Sequence, residues 1–416
     1  MNIKINSAKI AGEIEAISSK SYAHRALICA ALADKTSQIV CNTISDDITA
    51  TVSCLNSLGA NIIYENKVFK VTPIKFENDL KKLDCGESGS TLRFLIPIIC
   101  AFGFQAQITM HGRLPNRPLS PLKEILEENG CKLLKKDNIL YISGKLKPNT
   151  YEIDGSVSSQ FISGLLFAAT ILKSKLKIVV KGKFESKSYV DLTLNVLEKF
   201  GVTYIENDNT YELKNNCYKP ANANVEGDWS NAAFWLCAGG LLEKGLKVRG
   251  LNLNSVQGDK KIIDLLEKFG ADVKVSDNEI FVKKSNLKGI VIDASNIPDL
   301  VPILCVFACC CDGETVITNA SRLRIKESDR IKTTIEMINN LGGNAKETTD
   351  GIVVKNSELT GGKVNSYNDH RIAMSAAVAS ILCKNEVIIK DAGAVNKSYP
   401  EFFEDFKKLG LNFEEV

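Results

Sequence analysis

Histidine is scarce in this chain, three in 416 residues, and tryptophan scarcer still with two. That count argues against a metal site built on several imidazoles. Neither sign of charge prevails: 52 Lys and Arg stand against 49 Asp and Glu, a net +3. So even a balance offers no general attraction for nucleic acid or a membrane surface, and any cations that bind anions must be gathered locally. No apolar run reaches the roughly eighteen residues of a spanning helix. The opening MNIKINSAKIAGEIEA alternates and carries acids where a secretory leader would carry an apolar core. Cysteine is plentiful at thirteen, but the patterns that would give it a function are missing. The count is odd, no CxxC pair has zinc spacing, and Cys309, Cys310 and Cys311 lie inside the apolar run LVPILCVFACCC. These read as reduced, buried thiols acting as small hydrophobes, which points to the cytoplasm.

What the chain does have is a long period. An apolar helix face, a closing glycine and a strand-like run recur six times, as NSLGANI, EENGCKL, EKFGVTY, EKFGADV, NNLGGNA and KKLGLNF. The glycines are Gly59, Gly130, Gly201, Gly270, Gly342 and Gly410, separated by 71, 71, 69, 72 and 68 residues. So regular a spacing implies duplication of one supersecondary unit, and it exceeds the roughly 20–50 residues of most solenoid repeats. Ile48, Val52, Leu55 and Leu58 fall at helical spacing, as do Val190, Leu194 and Leu197, Ile262, Leu265 and Phe269, and Ile331, Ile335 and Ile338. Each stripe is a helix face to be buried, the glycine supplies the left-handed residue that ends the helix, and runs such as LKIVVKG read as strands. Six such units imply an α/β protein of two domains with about three units each.

Polar segments interrupt this scaffold. Ser18–Arg25, SSKSYAHR, puts serines, Lys20 and Arg25 at the start of an alanine-rich helix. That is either a capped helix with two solvated cations or an anion site using the helix N-terminus. The small, glycine-broken CGESGSTLR around Gly89 is either a turn or a place of close backbone approach. Arg113 and Arg117 flank prolines in GRLPNRP, a stiff turn or a carboxylate and phosphate grip. Ser156, Ser158, Ser159 and Gln160 open another apolar helix with more hydroxyls than capping needs. Asp299 sits between prolines in NIPDLVP, a helix-start acid or a rigidly placed base. RLRIKESDR, NDHRIAM and KSYP each fit a solvated or capping segment when taken alone. Taken together they collect Lys20, Arg25, Arg117, Lys326, Arg330, Arg371 and Lys397 at loop-to-helix junctions. A near-neutral chain that concentrates cations in this way is suited to small polyanions.

The ordered set SSKSYAHR, GESGSTLR, LPNRP, DGSVSSQF, SKSYVD, EGDWSNAAF, IPDLVP, RIKESDR, NDHRIAM and KSYPEFF resembles the EPSP synthase family, the 3-phosphoshikimate 1-carboxyvinyltransferases, along the whole chain. The resemblance implies a two-domain, inside-out α/β barrel-like fold of six βαβαββ repeats, three per domain, with the active site in the interdomain cleft. One domain would hold residues 1–18 and 228–416 and the other 19–227. It implies transfer of the enolpyruvyl group of phosphoenolpyruvate to the 5-hydroxyl of shikimate 3-phosphate through a tetrahedral intermediate. This step of aromatic amino-acid biosynthesis needs neither metal nor cofactor. By the same resemblance Lys20, Ser21, Arg25, Ser158, Ser159, Gln160, Ser186, Tyr189, Asp299 and Lys326 hold shikimate 3-phosphate. Lys20, Gly89, Arg117, Gln160, Arg330, Arg371 and Lys397 hold phosphoenolpyruvate. Asp299 is the implied base, Glu327 and Lys20 the implied proton donors, and His370 a supporting residue. A cytoplasmic monomer is implied, with glyphosate as a competitor of phosphoenolpyruvate.

The chain departs from the family pattern at Glu87, where Asn is common, at Ser188, where Pro is common, and at Trp229 and Asn231, where smaller or hydroxylated residues stand. A charge at Glu87 weakens anion binding unless it faces away or meets a cation. Three other readings fit the same general fold, one of them a non-catalytic binding protein, against which the retained Lys20, Asp299, Glu327, Arg371 and Lys397 argue. The sister transferase acting on UDP-N-acetylglucosamine begins its first site with Lys-Asn and carries a loop cysteine, whereas this chain has Lys20-Ser21 and a cysteine-free LPNRP. An RNA-end-processing relative needs a basic track, which a net +3 does not supply.

Overall fold

The computed structural model describes residues 1–6, 10–77, 79–172, 176–215, 217–277 and 279–416. The chain forms two compact units, one of Met1–Ile17 with Glu226–Val416, the other of Ser18–Val225. Each holds three four-stranded sheets.

Every sheet follows one plan. In the unit of Ser18–Val225, strand Thr150–Asp154 leads through a helix to its parallel neighbour Lys177–Lys181, and a second helix leads to the antiparallel hairpin Thr203–Asn207 and Thr210–Asn215. This is βαβαββ, with the last strand inserted beside the second. Leu80–Asp84, Gln105–Thr109, Ile139–Gly144 and Cys131–Lys136 repeat the order. In the third sheet the first position is filled from far along the chain, by Asn222–Asn224 alongside Ser37–Val40. The other unit uses the same device twice. Gly12–Glu15 lies parallel to Leu246–Arg249, and Ile3–Ile5 is inserted between Val387–Lys390 and Phe413–Glu415.

Two kinds of helix follow from two kinds of sequence. The helix between the hairpin strands and their predecessor is amphipathic: Ile262, Leu265, Leu266 and Phe269 are the buried face of Ile262–Phe269. The helix between the two parallel strands is apolar all round and buried on all sides, as in Gly89–Phe102, Ser159–Ile171, Trp229–Gly240 and His370–Ala379. The six period glycines all have positive φ, between 80° and 107°, where a Cβ is strained. At four of them the position a Cβ would take also lies within 3.2 Å of a carbonyl oxygen fifteen or sixteen residues on: Lys75, Lys145, Cys217 and Asn286. Glycine is needed there both for the turn and for the return strand packed against it.

A third glycine use joins two inner helices. Pro97 lies inside Gly89–Phe102 and cannot donate to the carbonyl of Arg93 one turn back. Gly164 of Ser159–Ile171 packs on that carbonyl, so closely that a Cβ would come within 2.5 Å of it. The two helices are locked where their N-termini carry Gly89 and Gln160.

The thirteen cysteines are all unbridged. The sequence reading of buried thiols fails at two: Cys217 is exposed and Cys310 only half-buried, because both sit at the ends of elements rather than on packed faces. Among the described residues no helix is long and apolar enough to cross a membrane.

Candidate functional site

The polar segments that stood out in the sequence are the starts of the inner helices and the loops before several outer ones. An inner helix is buried along its length, so its first turn is the one place where its backbone N–H groups and dipole can face a ligand.

In the unit of Ser18–Val225, Ser19 caps the helix Lys20–Leu32. Lys20 Nζ meets Asp47 Oδ2 at 2.6 Å, with both side chains largely covered. One turn on, Arg25 is buried and held by neutral acceptors. Its Nε donates to Thr193 Oγ1 (2.8 Å), its Nη1 to the Ser21 carbonyl (2.6 Å) and its Nη2 to the Tyr189 carbonyl (3.0 Å), over the ring of Phe94. Burial pushes its pKa down to about 10, still charged at neutral pH. Arg25 therefore ties Ser21 to the turn holding Ser186 and Tyr189. Ser186 itself is buried with φ 54°, the left-handed region that costs a non-glycine residue about 1–3 kcal/mol.

Beside this group, Ser158 caps the helix that Ser159 begins. Gln160 is held by two bonds, accepting from Arg93 Nη1 at 2.7 Å and donating to Ser90 Oγ at 2.9 Å. Gly89 is buried, and a Cβ there would lie 2.8 Å from Arg117 Nη1 and 3.2 Å from Arg93 Nη1. The missing side chain is the room that two guanidinium groups occupy. The Glu87 carboxylate lies against Gly112 at the start of the Arg117 loop.

In the other unit Asp299, on the one-turn helix Pro298–Leu300, is ringed by cations. Arg330 Nη1 stands at 2.8 Å, Arg371 Nη2 at 3.5 Å and Lys326 Nζ at 3.7 Å. Burial alone would raise its pKa, and Glu327 adds to that, but Lys326, Arg371 and Arg330 outweigh both and hold the carboxyl well below its ordinary range. Lys326 answers in the other direction: burial, with Arg322 and Arg330, pushes it down to about 8 against the pull of Asp299 and Glu327. Arg330 is almost wholly buried, yet Asp369, Glu327 and Asp299 keep it charged, its pKa raised against the desolvation. Its Nε donates to Asp369 (2.8 Å) and its Nη2 to Glu327 (2.7 Å). Asp369 also caps the helix His370–Ala379 through the N–H of Arg371 and accepts from Ser328. Left-handed Tyr367 and Asn368 turn the chain into that helix and present the Asn368 carbonyl to Lys397 Nζ at 2.7 Å. The buried side chain of His370 lies beside Asp369.

The structure thus gathers Asp299, Lys326, Glu327, Arg330, His370, Arg371 and Lys397 in one unit. In the other it gathers Lys20, Ser21, Arg25, Ser158, Ser159, Gln160, Ser186, Tyr189, Gly89 and Arg117. Three members were missed in the sequence. Arg93 stands one turn after Gly89 on the same helix face and was findable by that spacing. Asp369 reads in the sequence as a capping residue, which it is, but its ion pair with Arg330, 39 residues away, leaves no local signal. Asp47, 27 residues from Lys20, left no local signal. Trp229 is buried, with Nε1 donating to the Asn252 carbonyl at 3.2 Å, so this departure from the family pattern is a core residue.

Six copies of one βαβαββ unit, with cations collected at the helix starts, define a mixed α/β enzyme of the inside-out class built to handle small anions. A family model for EPSP synthase (3-phosphoshikimate 1-carboxyvinyltransferase) matches residues 5–406, and the chain belongs to that family of transferases. It is similar to the 3-phosphoshikimate 1-carboxyvinyltransferase of Clostridium perfringens, 45% identical over 98% of this chain and 97% of that one. The Clostridioides difficile protein of the same name is 41% identical over 100% and 98%. Among solved structures, EPSP synthase from Acinetobacter baumannii superposes with a TM-score of 0.81 at 24% identity, each chain fully covered. The enolpyruvyl transferase NikO from Streptomyces tendae gives 0.79 at 16%. At these identities the two structures speak for the fold.

Proposed function

We propose that the chain transfers the enolpyruvyl group of phosphoenolpyruvate to the 5-hydroxyl of shikimate 3-phosphate, releasing inorganic phosphate, in the pathway to aromatic amino acids. The observation that carries the reading is Asp299: a carboxylate held ionised among Lys326, Arg330 and Arg371, a base set amid groups that bind anions. Ser21, Arg25, Ser158, Ser159, Ser186, Tyr189 and Lys326 hold shikimate 3-phosphate. Gly89, Arg117, Arg330, Arg371, Lys397 and Lys20 hold phosphoenolpyruvate, and Gln160 serves both.

The hydroxyl oxygen adds to C2 of phosphoenolpyruvate while its proton passes to Asp299, and a proton from Glu327 or Lys20 reaches C3. The resulting ketal phosphate then loses a C3 proton and phosphate, restoring the double bond. With three cations around it Asp299 is a weak base. Substrate phosphate and carboxylate groups compete for those cations, and the basicity of Asp299 rises as they bind. His370 supports Asp369 and so Arg330. The cations already in place stabilise the anionic intermediate without reorganising. The residues 1–18 with 228–416, and 19–227, act as the family's two domains. The protein works as a cytoplasmic monomer.

The test is phosphate release from shikimate 3-phosphate and phosphoenolpyruvate in the presence of EDTA. Release that needs both substrates and is lost in Lys20→Ala is the expected result. Activity with UDP-N-acetylglucosamine instead would move the chain to the sister reaction, and inactivity with both acceptors would overturn the proposal.

A further inference from the structure

One buried carboxyl beside this site has no part in the chemistry above. Asp259 lies on the turn Gly258–Lys261 with its side chain covered, and its Oδ2 accepts a hydrogen bond from Ser230 Oγ. Ser230 is the second residue of the helix Trp229–Gly240, and its carbonyl accepts from Arg371 Nη1 at 2.9 Å. The other terminal nitrogen of Arg371 faces Asp299 Oδ2 at 3.5 Å. Three contacts therefore run from Asp259 to Asp299 through Ser230 and Arg371. The start of the helix is pinned to the same loop a second time, by Trp229 N–H on Gln257 Oε1 at 3.2 Å. The Ser230 carbonyl is consequently fixed in direction, and with it the arginine.

We propose that Asp259 is a positioning residue of the enolpyruvyl site, holding Arg371 through Ser230 and tuning by its own charge how much of the Arg371 charge is left for phosphoenolpyruvate. The proposal rests on the roles given above to Arg371 and Asp299. The charged groups facing Asp259 are Asp299 from the Pro298–Leu300 turn, Arg371 from its helix and Asp228 from the helix start. On its own turn Lys260 is turned aside to the Leu253 carbonyl. Burial first, then the charge of Asp299, push Asp259 up to about 7, with Asp228 adding and Ser230 and Arg371 opposing. It is therefore neutral below that pH and charged above it. Once charged, it competes with the substrate for Arg371.

The test compares the wild-type chain with Asp259→Asn, which keeps an acceptor for Ser230 and removes only the charge. The substrate phosphates also titrate near pH 6, but equally for both chains, so the ratio of their KM values for phosphoenolpyruvate isolates Asp259. That ratio should rise about tenfold between pH 6 and 8, as expected for one charge added near another in a partly shielded site, while the kcat ratio moves little. Carbon-13 titration of labelled aspartates should show one carboxyl with a midpoint near neutral, absent in Asp259→Asn and moved upward when phosphoenolpyruvate binds, because the bound anion offsets the Arg371 charge that favours ionised Asp259. A flat KM ratio, or a midpoint indifferent to phosphoenolpyruvate in a chain that releases phosphate normally, would overturn the proposal and leave the function standing. A wild-type chain that neither binds phosphoenolpyruvate nor releases phosphate would overturn both.

Discussion

Asp299 and Lys326 constrain each other, and each substitution there has a separate signature. Asp299→Asn keeps the shape but removes the base and the charge that three cations share. Phosphate release should fall about 10²- to 10⁴-fold in kcat, the usual worth of a general base, with the fold intact by circular dichroism. Lys326, pushed down to about 8, carries its charge below that pH and loses it above. A phosphate ligand binds the charged form, so the KM for shikimate 3-phosphate should climb above pH 8, by up to about tenfold per unit. Lys326→Arg, charged throughout, should abolish the climb in a KM–pH series. For stability the sign is opposite: the burial cost of the charged lysine is present in full below pH 8 and disappears as pH rises toward the ordinary 10.5.

Two contacts between elements bear on the site without touching a reacting atom. Gly164 fills the gap left at the Arg93 carbonyl by Pro97, and a methyl there must push the two inner helices apart. Gly164→Ala should cost about 1–3 kcal/mol in a denaturant titration, the usual range for overpacking. It should also raise the KM for phosphoenolpyruvate, because Arg93 and Gln160 sit on opposite sides of that contact. Asp47 holds Lys20 from the neighbouring helix Asp46–Ser57. Asp47→Ala leaves the ammonium without its anchor, and kcat/KM should drop about tenfold, which corresponds to about 1.4 kcal/mol of lost transition-state stabilisation.

At the scale of the whole molecule, the connectivity decides which pieces fold. All strands of three sheets lie within 18–225, which should express alone as a cooperatively unfolding protein. The segment 226–416 lacks Ile3–Ile5, an interior strand of its sheet, and Gly12–Glu15. It should fail to fold alone. It should fold when residues 1–17 are joined after Val416 through a short turn, since the Val416 N–H already bonds the Asn2 carbonyl at 3.1 Å beside antiparallel strands. Thermal unfolding of the three pieces measures this directly.

The repeat, its amphipathic helices and the glycines that end them were legible because they depend on local chemistry: apolar spacing along one helix and a backbone conformation that favours glycine. The polar helix starts were legible as candidates for the same reason, and their order was enough to identify the family. What the sequence by itself left undetermined is which of those groups meet. That Ser186 adopts a strained left-handed turn, that Lys20 pairs with Asp47, that three cations converge on Asp299 and that Asp259 reaches it through Ser230 all depend on residues tens to hundreds of positions apart. Only the tertiary structure decided these, because the energies involved, burial and charge pairing, are set by neighbours in space and leave no periodicity in the chain.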